Sequence, residues 1–368
     1  MTRFQFSLAD SSDDDALRQR MNLDVMDGSI AVSFRREPSY FLGTGVQGEQ
    51  AQVIKCVDTE SGRLAGLGTR LQLDAFINGQ QQRIGYLSDL RGDPRYRGGT
   101  LLARGYRYLR QLHDADPIPF YYSLILEGNE SALKNLPGAR AGLPVYHDMG
   151  KILTPAIHLD LPRKTVREPR LRIQTASIDQ LPEVFKFIQK QYAKKQFAPI
   201  YQIEDMASPR LSGLRTEDIL IAIRGNKIVG TLAAWDQHNF RQTHIERYSR
   251  TLKILRPFYN LAATLSPLKP LPATGNPVPY FYLALVAIEN DDANIFRALL
   301  SKLHNQRRSG EWHYFIAGLH EKNPLSKVLA EYRSIKAAGH LYLIYYPDNT
   351  LEIQNLDDRI PHIEIAAV

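Results

Sequence analysis

Arg95, Arg97, Gly98, Gly99 and Thr100 fall in the run DPRYRGGTLLARG (93–105), where guanidinium groups flank bare glycine backbone and an apolar, helix-spaced pattern follows at once. Glycine lets main-chain N–H groups come close to a ligand, and a helix start adds partial positive charge. That combination suits an anion, most often a phosphate. A basic surface turn with no ligand uses the same residue types, and the run alone leaves both readings open. Cys56 is the single cysteine, so an intrachain disulfide and a cysteine-based zinc site are excluded. It sits in the strand-like QVIKCVD, where a small buried apolar side chain is expected rather than a nucleophile. The ten histidines show no metal-ligand pairing. His238 and His244 are six apart, out of register on a helix, and His313 and His320 point to opposite faces of a regular strand. No metal site is expected, and no serine nucleophile elbow is present.

Around the glycine run the pattern supplies the elements that would hold it. QRIGYLSDL reads as a strand leading in from an Asn78-Gly79 hairpin turn. TLLARGYRYLRQLHD has helical spacing, and PFYYSLILEG is a strand with no polar face, hence central. Strand, loop, helix and strand make one crossover unit over 84–127, with a ligand expected at the C-terminal edge of its first strand. Earlier come RFQFSLA as a strand, an acid-started helix in ALRQRMNL, and the strands AQVIKCVD and LAGLGTRLQLDAF. KILTPAIHL closes this half as a further strand. LPRKTVREPR (161–170), with two prolines and four basic residues, reads as a linker. Beyond it the order repeats: strand RLRIQTA, a helix capped by Ser177, and a hairpin turning at Gly225-Asn226. A proline-bearing irregular insert follows over roughly 250–278. Then come the buried strand YFYLALVAI, helix NIFRALLSKLHNQRR, strand WHYFIAGL, helix NPLSKVLAEYRSI and a final strand HLYLIYY. The chain is therefore expected to form an α/β mixed-sheet protein with units at 1–160 and 171–368.

The chain has 368 residues, a net charge of +7 and a pI near 9.3, but its basic residues are dispersed among acids. Zinc-finger spacing and aromatic–basic alternation are both missing, so no nucleic-acid partner is expected. No apolar stretch nears the ~20 residues of a membrane span, and the acidic, polar start is unlike a signal peptide. No membrane partner is expected, and a cytoplasmic location is.

The element order together with Pro94-Arg95-Tyr96-Arg97-Gly98-Gly99 resembles the GNAT superfamily, the acyl-CoA-dependent N-acyltransferases. Their signature runs proline, any, tyrosine, arginine, glycine, any, glycine, any, glycine, between the fourth strand and the third helix. Pro94, Tyr96, Arg97 and Gly98 match it without gaps. Thr100 stands at the second glycine and Leu102 at the third; a short gap would place Gly99 on a later glycine instead. Asn129 followed by Ala132, after PFYYSLILEG, is similar to a second family feature. SFRREPSYF (33–41) is similar to a third. The second half resembles the same fold in order only. After YFYLALVAI it reads ENDDAN, three acids with no glycine or arginine, which would repel a pyrophosphate. The resemblance therefore implies two tandem GNAT-like domains with acyl-CoA bound in the first.

The resemblance also implies an N-acyltransferase, by expectation an N-acetyltransferase, using acetyl-CoA or another acyl-CoA as cosubstrate. The acceptor would be a small-molecule or peptide amine lying between the halves, in a monomer or homodimer. Asp89, Leu90 and Arg91 on the fourth strand would meet the pantetheine arm. The amides of Arg97, Gly98, Gly99, Thr100 and Leu101 would cradle the pyrophosphate, with Arg95, Tyr96 and Asn129 around it. Asp89 or Glu127 would act as base. Tyr146 is the nearest tyrosine to the family's usual acid, although it follows two prolines and two glycines and stands off that spacing. The alternative is a non-catalytic acyl-CoA-binding or regulatory protein.

Overall fold

The computed structural model describes residues 3–96, 100–129, 132, 143–166 and 168–368. Its first-half strands are β1 (Phe4–Leu8), β2 (Val25–Met26), β3 (Ile30–Arg35), β4 (Gln50–Asp58), β5 (Arg63–Ile77), β6 (Gln80–Gly92), β7 (Tyr121–Leu126), β8 (Val145–Leu153) and β9 (Ala156–His158). The second half adds β10 (Leu171–Thr175), β11 (Ala198–Pro199), β12 (Ile219–Arg224), β13 (Lys227–Trp235), β14 (Gln242–Tyr248), β15 (Tyr280–Ile288), β16 (Tyr314–Ile316), β17 (Leu319–His320), β18 (Ser334–Ile335) and β19 (Ala338–Tyr345). The helices are α1 (Asp14–Asn22), α2 (Tyr40–Gly45), α3 (Leu101–Ala115), α4 (Leu181–Tyr192), α5 (Arg250–Thr264), α6 (Ala293–Arg307), α7 (Ser326–Leu329) and α8 (Thr350–Gln354).

Local chemistry accounts for most of these elements. Asn78 and Gly79, at φ 51° and 80°, make the tight turn that joins β5 to β6. Ser177 and Gln180 form a capping box ahead of α4, and Gly225, at φ 62°, turns β12 into β13. Among the described residues the strands form three sheets. The first runs β1-β4-β5-β6-β7-β19-β8-β17, with β11 on β5; the second runs β10-β12-β13-β15-β16-β9-β18; the third is β14-β3-β2.

The first two sheets match over seven positions, β1 to β8 of the first against β10 to β18 of the second, and in each the sixth position is filled by a strand from the other half of the chain. β19 lies antiparallel between β7 and β8, while β9 lies antiparallel between β16 and β18. KILTPAIHL, expected as one strand, breaks at Thr154-Pro155 and passes from one sheet to the other. The final strand, expected in the second half's sheet, instead completes the first. Apolar packing is continuous across this exchange. Leu341, Leu343, Phe197 and Ile363 pack with Leu71, Ile84 and Tyr122, and Val46 joins the core built on Phe185, Trp235 and Leu285.

Three further expectations are corrected. The insert expected to be irregular carries α5, which contains Pro257. His244 lies in β14, paired with β3, rather than on a helix. Only a short turn, α7, forms where a longer helix was expected before β18.

Candidate functional site

β6 and β7 are parallel and pair only at Gly85–Tyr121 and Tyr86–Tyr122. Beyond that point they part, since β7 turns to β19 and β6 continues alone against β5. The divergence leaves one edge of Leu87–Gly92 without a strand partner. Within it β6 bulges: Thr69 faces Ser88 and Leu67 faces Arg91, so Asp89 and Leu90 stand opposite Gly68, with Asp89 at φ 54°. The second half repeats this wedge. β15 and β16 pair up to Tyr282–Ile316, and a bulge follows with Leu285 at φ 51°. The two wedges open at corresponding residues and carry the same kink, so the repeat extends to main-chain register.

In the first wedge the bulge aims Asp89 at two long-range partners. Arg36 approaches its Oδ2 at 2.5 Å and the Tyr40 hydroxyl donates to the same oxygen at 2.9 Å. Arg36 and Asp89 are only 5% and 11% exposed at their side chains. Arg36 also lies 4.6 Å from the centre of the Tyr40 ring and donates to Gln47 at 3.1 Å. Burial works against the Arg36 charge, yet Asp89, joined by the hydroxyls of Tyr40, Tyr86 and Tyr282, outweighs it and holds the guanidinium pKa above its ordinary value. Asp89 Oδ1 carries neither of these two bonds. Leu90 is exposed, and Arg91 Nε is 3.5 Å from Asp24. Among the described residues no side chain bonds the main chain of Asp89, Leu90 or Arg91.

The glycine run begins where β6 ends. Asp93 accepts from the Arg95 amide at 2.9 Å and from its side chain, so Arg95 is tied back to the loop. The Tyr96 hydroxyl donates to Asp58 at 2.7 Å, and its ring meets Phe4 edge-on. Arg97, Gly98 and Gly99 lie outside the described residues. Thr100 then caps α3 without a side-chain hydrogen bond, leaving the amides of the first turn without a partner from the cap. Asn129 stands at the end of β7 and accepts from the Ala132 amide at 3.1 Å.

The corresponding places in the second half are occupied. Glu364, from the C-terminal segment, accepts from the Leu285 amide at 2.9 Å. Burial pushes its carboxyl up to about 7. Ile365 packs on Gly318 where a Cβ would collide with it. At the start of α6, Asp292 accepts from the Asn294 amide at 2.8 Å, and Lys195 pairs with Asp291 at 2.5 Å. Beside them remains a cavity of about 260 Å³, lined by Lys194, Lys195, Asp291, Arg359 and His362 among others. Asn323 accepts from the Leu325 amide at 3.0 Å, as Asn129 does in the first half.

This doubled mixed sheet superposes on solved acyltransferase structures. Saccharomyces cerevisiae N-myristoyltransferase with bound myristoyl-CoA superposes at a TM-score of 0.61 with 12% identity, over 94% of this chain and 83% of that one. A GCN5-related N-acetyltransferase from Sphaerobacter thermophilus gives 0.55 at 12% identity, covering 100% and 99%. A probable N-acyltransferase from Enterococcus faecalis gives 0.54 at 10% identity, covering 95% and 75%. The chain has a tandem GNAT fold. No family model matches it, and no curated protein matches its sequence.

On this GNAT frame the remaining sequence candidates disperse. Glu127 is exposed and paired with Lys151 at 2.7 Å, which lowers its pKa. Tyr146 lies in β8 rather than in a loop, bonds the Tyr106 hydroxyl and packs behind the sheet against α3. Register sets it level with Ile344, Tyr121 and Gly85, three strands from β6 and so about 14 Å away. Burial raises its hydroxyl to about 12. No hydrogen bond or ion pair joins any two of Asp89, Glu127 and Tyr146 among the described residues. Cys56 is buried, and burial raises its thiol to about 11, against a nucleophilic role. Sequence reasoning missed Arg36 and Tyr40, although both stand in the quoted SFRREPSYF. It also missed Glu364, whose one signal is a lone acid in the apolar tail IEIAAV.

Proposed function

We propose that this protein is an acyl-CoA-dependent N-acyltransferase whose first half holds the donor and whose acceptor, a small-molecule or peptide amine, enters between the halves. The observation that carries this reading is the difference between the wedges. Among the described residues the first leaves the bulge main chain and the α3 start without side-chain partners, whereas Glu364 and Asp292 satisfy the same points in the second. Pantetheine would run along Leu90 and Arg91. The diphosphate would meet the α3 amides at a helix end carrying roughly half a positive charge, and the glycine run before them.

The reaction needs little covalent help from the protein. The amine nitrogen attacks the thioester carbonyl carbon, a bulge N–H stabilises the oxyanion, and the C–S bond breaks to release the CoA thiolate. The amine's proton leaves through water or through Asp89 Oδ1, and the thiolate is protonated from solvent. Arg36 and Tyr40 fix Asp89 through its other oxygen, which makes it an orienting carboxylate for the incoming nitrogen. The donor is acetyl-CoA or a longer acyl-CoA; the likeness to a fold that holds myristoyl-CoA supports testing both ends of that range.

The test is thermal melting with acetyl-CoA or myristoyl-CoA, followed by thiol release against a panel of amines. Saturating donor at about 100 times its Kd should stabilise the fold by about 2.7 kcal/mol, and an accepting amine should release free CoA. Stabilisation without release from any amine would favour the non-catalytic acyl-CoA-binding alternative. No stabilisation by either donor would defeat both.

A further inference from the structure

We infer that α5 is a docking surface for an anionic lipid bilayer. Ile254, Phe258, Leu261 and Leu265 recur at helical spacing and are 68%, 69%, 67% and 88% exposed, with Leu255 beside them at 51%. Side chains of this size and spacing normally face a core. The opposite face is what holds α5 to the protein. Asn260 exchanges hydrogen bonds with the Leu271 main chain at 2.8 and 3.1 Å, and Arg256 donates to the same carbonyl at 3.1 Å. The apolar stripe is thus presented outward by a helix anchored on its other side.

Charge identifies what the stripe meets. From Arg247 to Ile288 the chain contains Arg247, Arg250, Lys253, Arg256 and Lys269 and no acid at all. Arg250 continues the stripe at its N-terminal end and Lys253 flanks it; both are exposed and form no ion pair among the described residues. Cations in a first helical turn oppose the macrodipole, so helix stability does not explain their placement. Asp27 pairs with Arg247 near the helix start, which leaves Arg250 and Lys253 as the cations beside the apolar face, an arrangement that fits acyl chains below anionic headgroups. No helix among the described residues is long and apolar enough to cross a membrane, so the contact is interfacial. The sequence expectation of no membrane partner rested on the lack of a spanning stretch, which an interfacial helix does not need.

The experiment is co-sedimentation of the full chain with vesicles of phosphatidylcholine alone or mixed with phosphatidylserine. Binding is expected to the mixed vesicles, weakening as salt rises. Phe258→Glu with Leu261→Glu should lower it more than about tenfold, and Arg250→Glu with Lys253→Glu by about tenfold. Unchanged melting of both variants shows that folding is intact. No binding to mixed vesicles, equal binding to phosphatidylcholine alone, or binding indifferent to both variants would overturn the proposal. So would a concentration-dependent dimer that Phe258→Glu abolishes while wild type ignores vesicles. None of these readouts depends on acyl transfer.

Discussion

In the first half, strands part after Tyr86 and Tyr122; in the second, they part after Tyr282 and Ile316, and each is followed by a residue of positive φ. What differs is the company. Asp89 turns its carboxylate to Arg36, and its own main chain has no side-chain partner among the described residues. Leu285 has an apolar side chain, and its amide is satisfied by Glu364. Thr100 leaves α3 without a side-chain cap, while Asp292 caps α6. One backbone can thus be kept receptive or made self-sufficient by a few carboxylates, and those carboxylates distinguish a proposed binding half from a supporting one.

The broadest way to test whether the halves are separable is to separate them. Residues 1–160 expressed alone should lack a cooperative melt, because β7 and β8 would lose the strand between them, and residues 161–368 should fare no better. Mixing the two should restore a single transition. Independent folding of either piece would show that the exchange is dispensable.

A smaller effect is expected at the first bulge. Asp89→Ala strands the buried Arg36 guanidinium and should cost about 3 to 5 kcal/mol in denaturant unfolding. Changing Arg36 and Asp89 together to apolar residues should recover much of that stability but not activity.

At the second bulge the sign reverses with pH. The Glu364 carboxyl is raised from 4.5 to about 7, so the folded state holds its proton over that window while the unfolded chain has released it. Stability from this group is greatest below pH 4.5 and falls as pH rises to about 7. Glu364→Gln should remove the dependence and stabilise the protein by about 3 kcal/mol at pH 8. Buried histidines such as His313 and His362, depressed to about 4 and about 3, give the opposite trend below pH 6.5. The difference between wild type and variant, not either curve alone, isolates Glu364.

The finest test transplants one feature. Thr100→Asp gives α3 the kind of cap that α6 has. It should strengthen the helix by about 1 kcal/mol while weakening acyl-CoA binding by about tenfold, read as a higher melting temperature with a smaller ligand-induced shift. An undiminished shift would remove α3 from the proposed diphosphate site.

The parts legible in the sequence were those whose cause is local. Asn78-Gly79, the Ser177 box, the Asn129 cap and the strand-to-loop-to-helix passage around Pro94 each depend on neighbours a few residues away. What the sequence hid is non-local. HLYLIYY reads as a buried strand wherever it pairs, and nothing in its pattern says that it crosses to β7 and β8. Asp89 was visible as an acid on a strand, but its hold by Arg36 spans more than fifty residues. Tyr146 stood near in sequence and far in the sheet because β19 intervenes.

The position of β19 also bears on how the molecule is made. A ribosome working at roughly 5–20 residues per second finishes β8 long before it reaches residue 345. For about ten seconds or more the nascent first sheet therefore has a gap at its middle, two bare strand edges of the kind that attract other chains. Cells producing this protein would need a chaperone, or slow handling, to cover that opening until the last strand arrives.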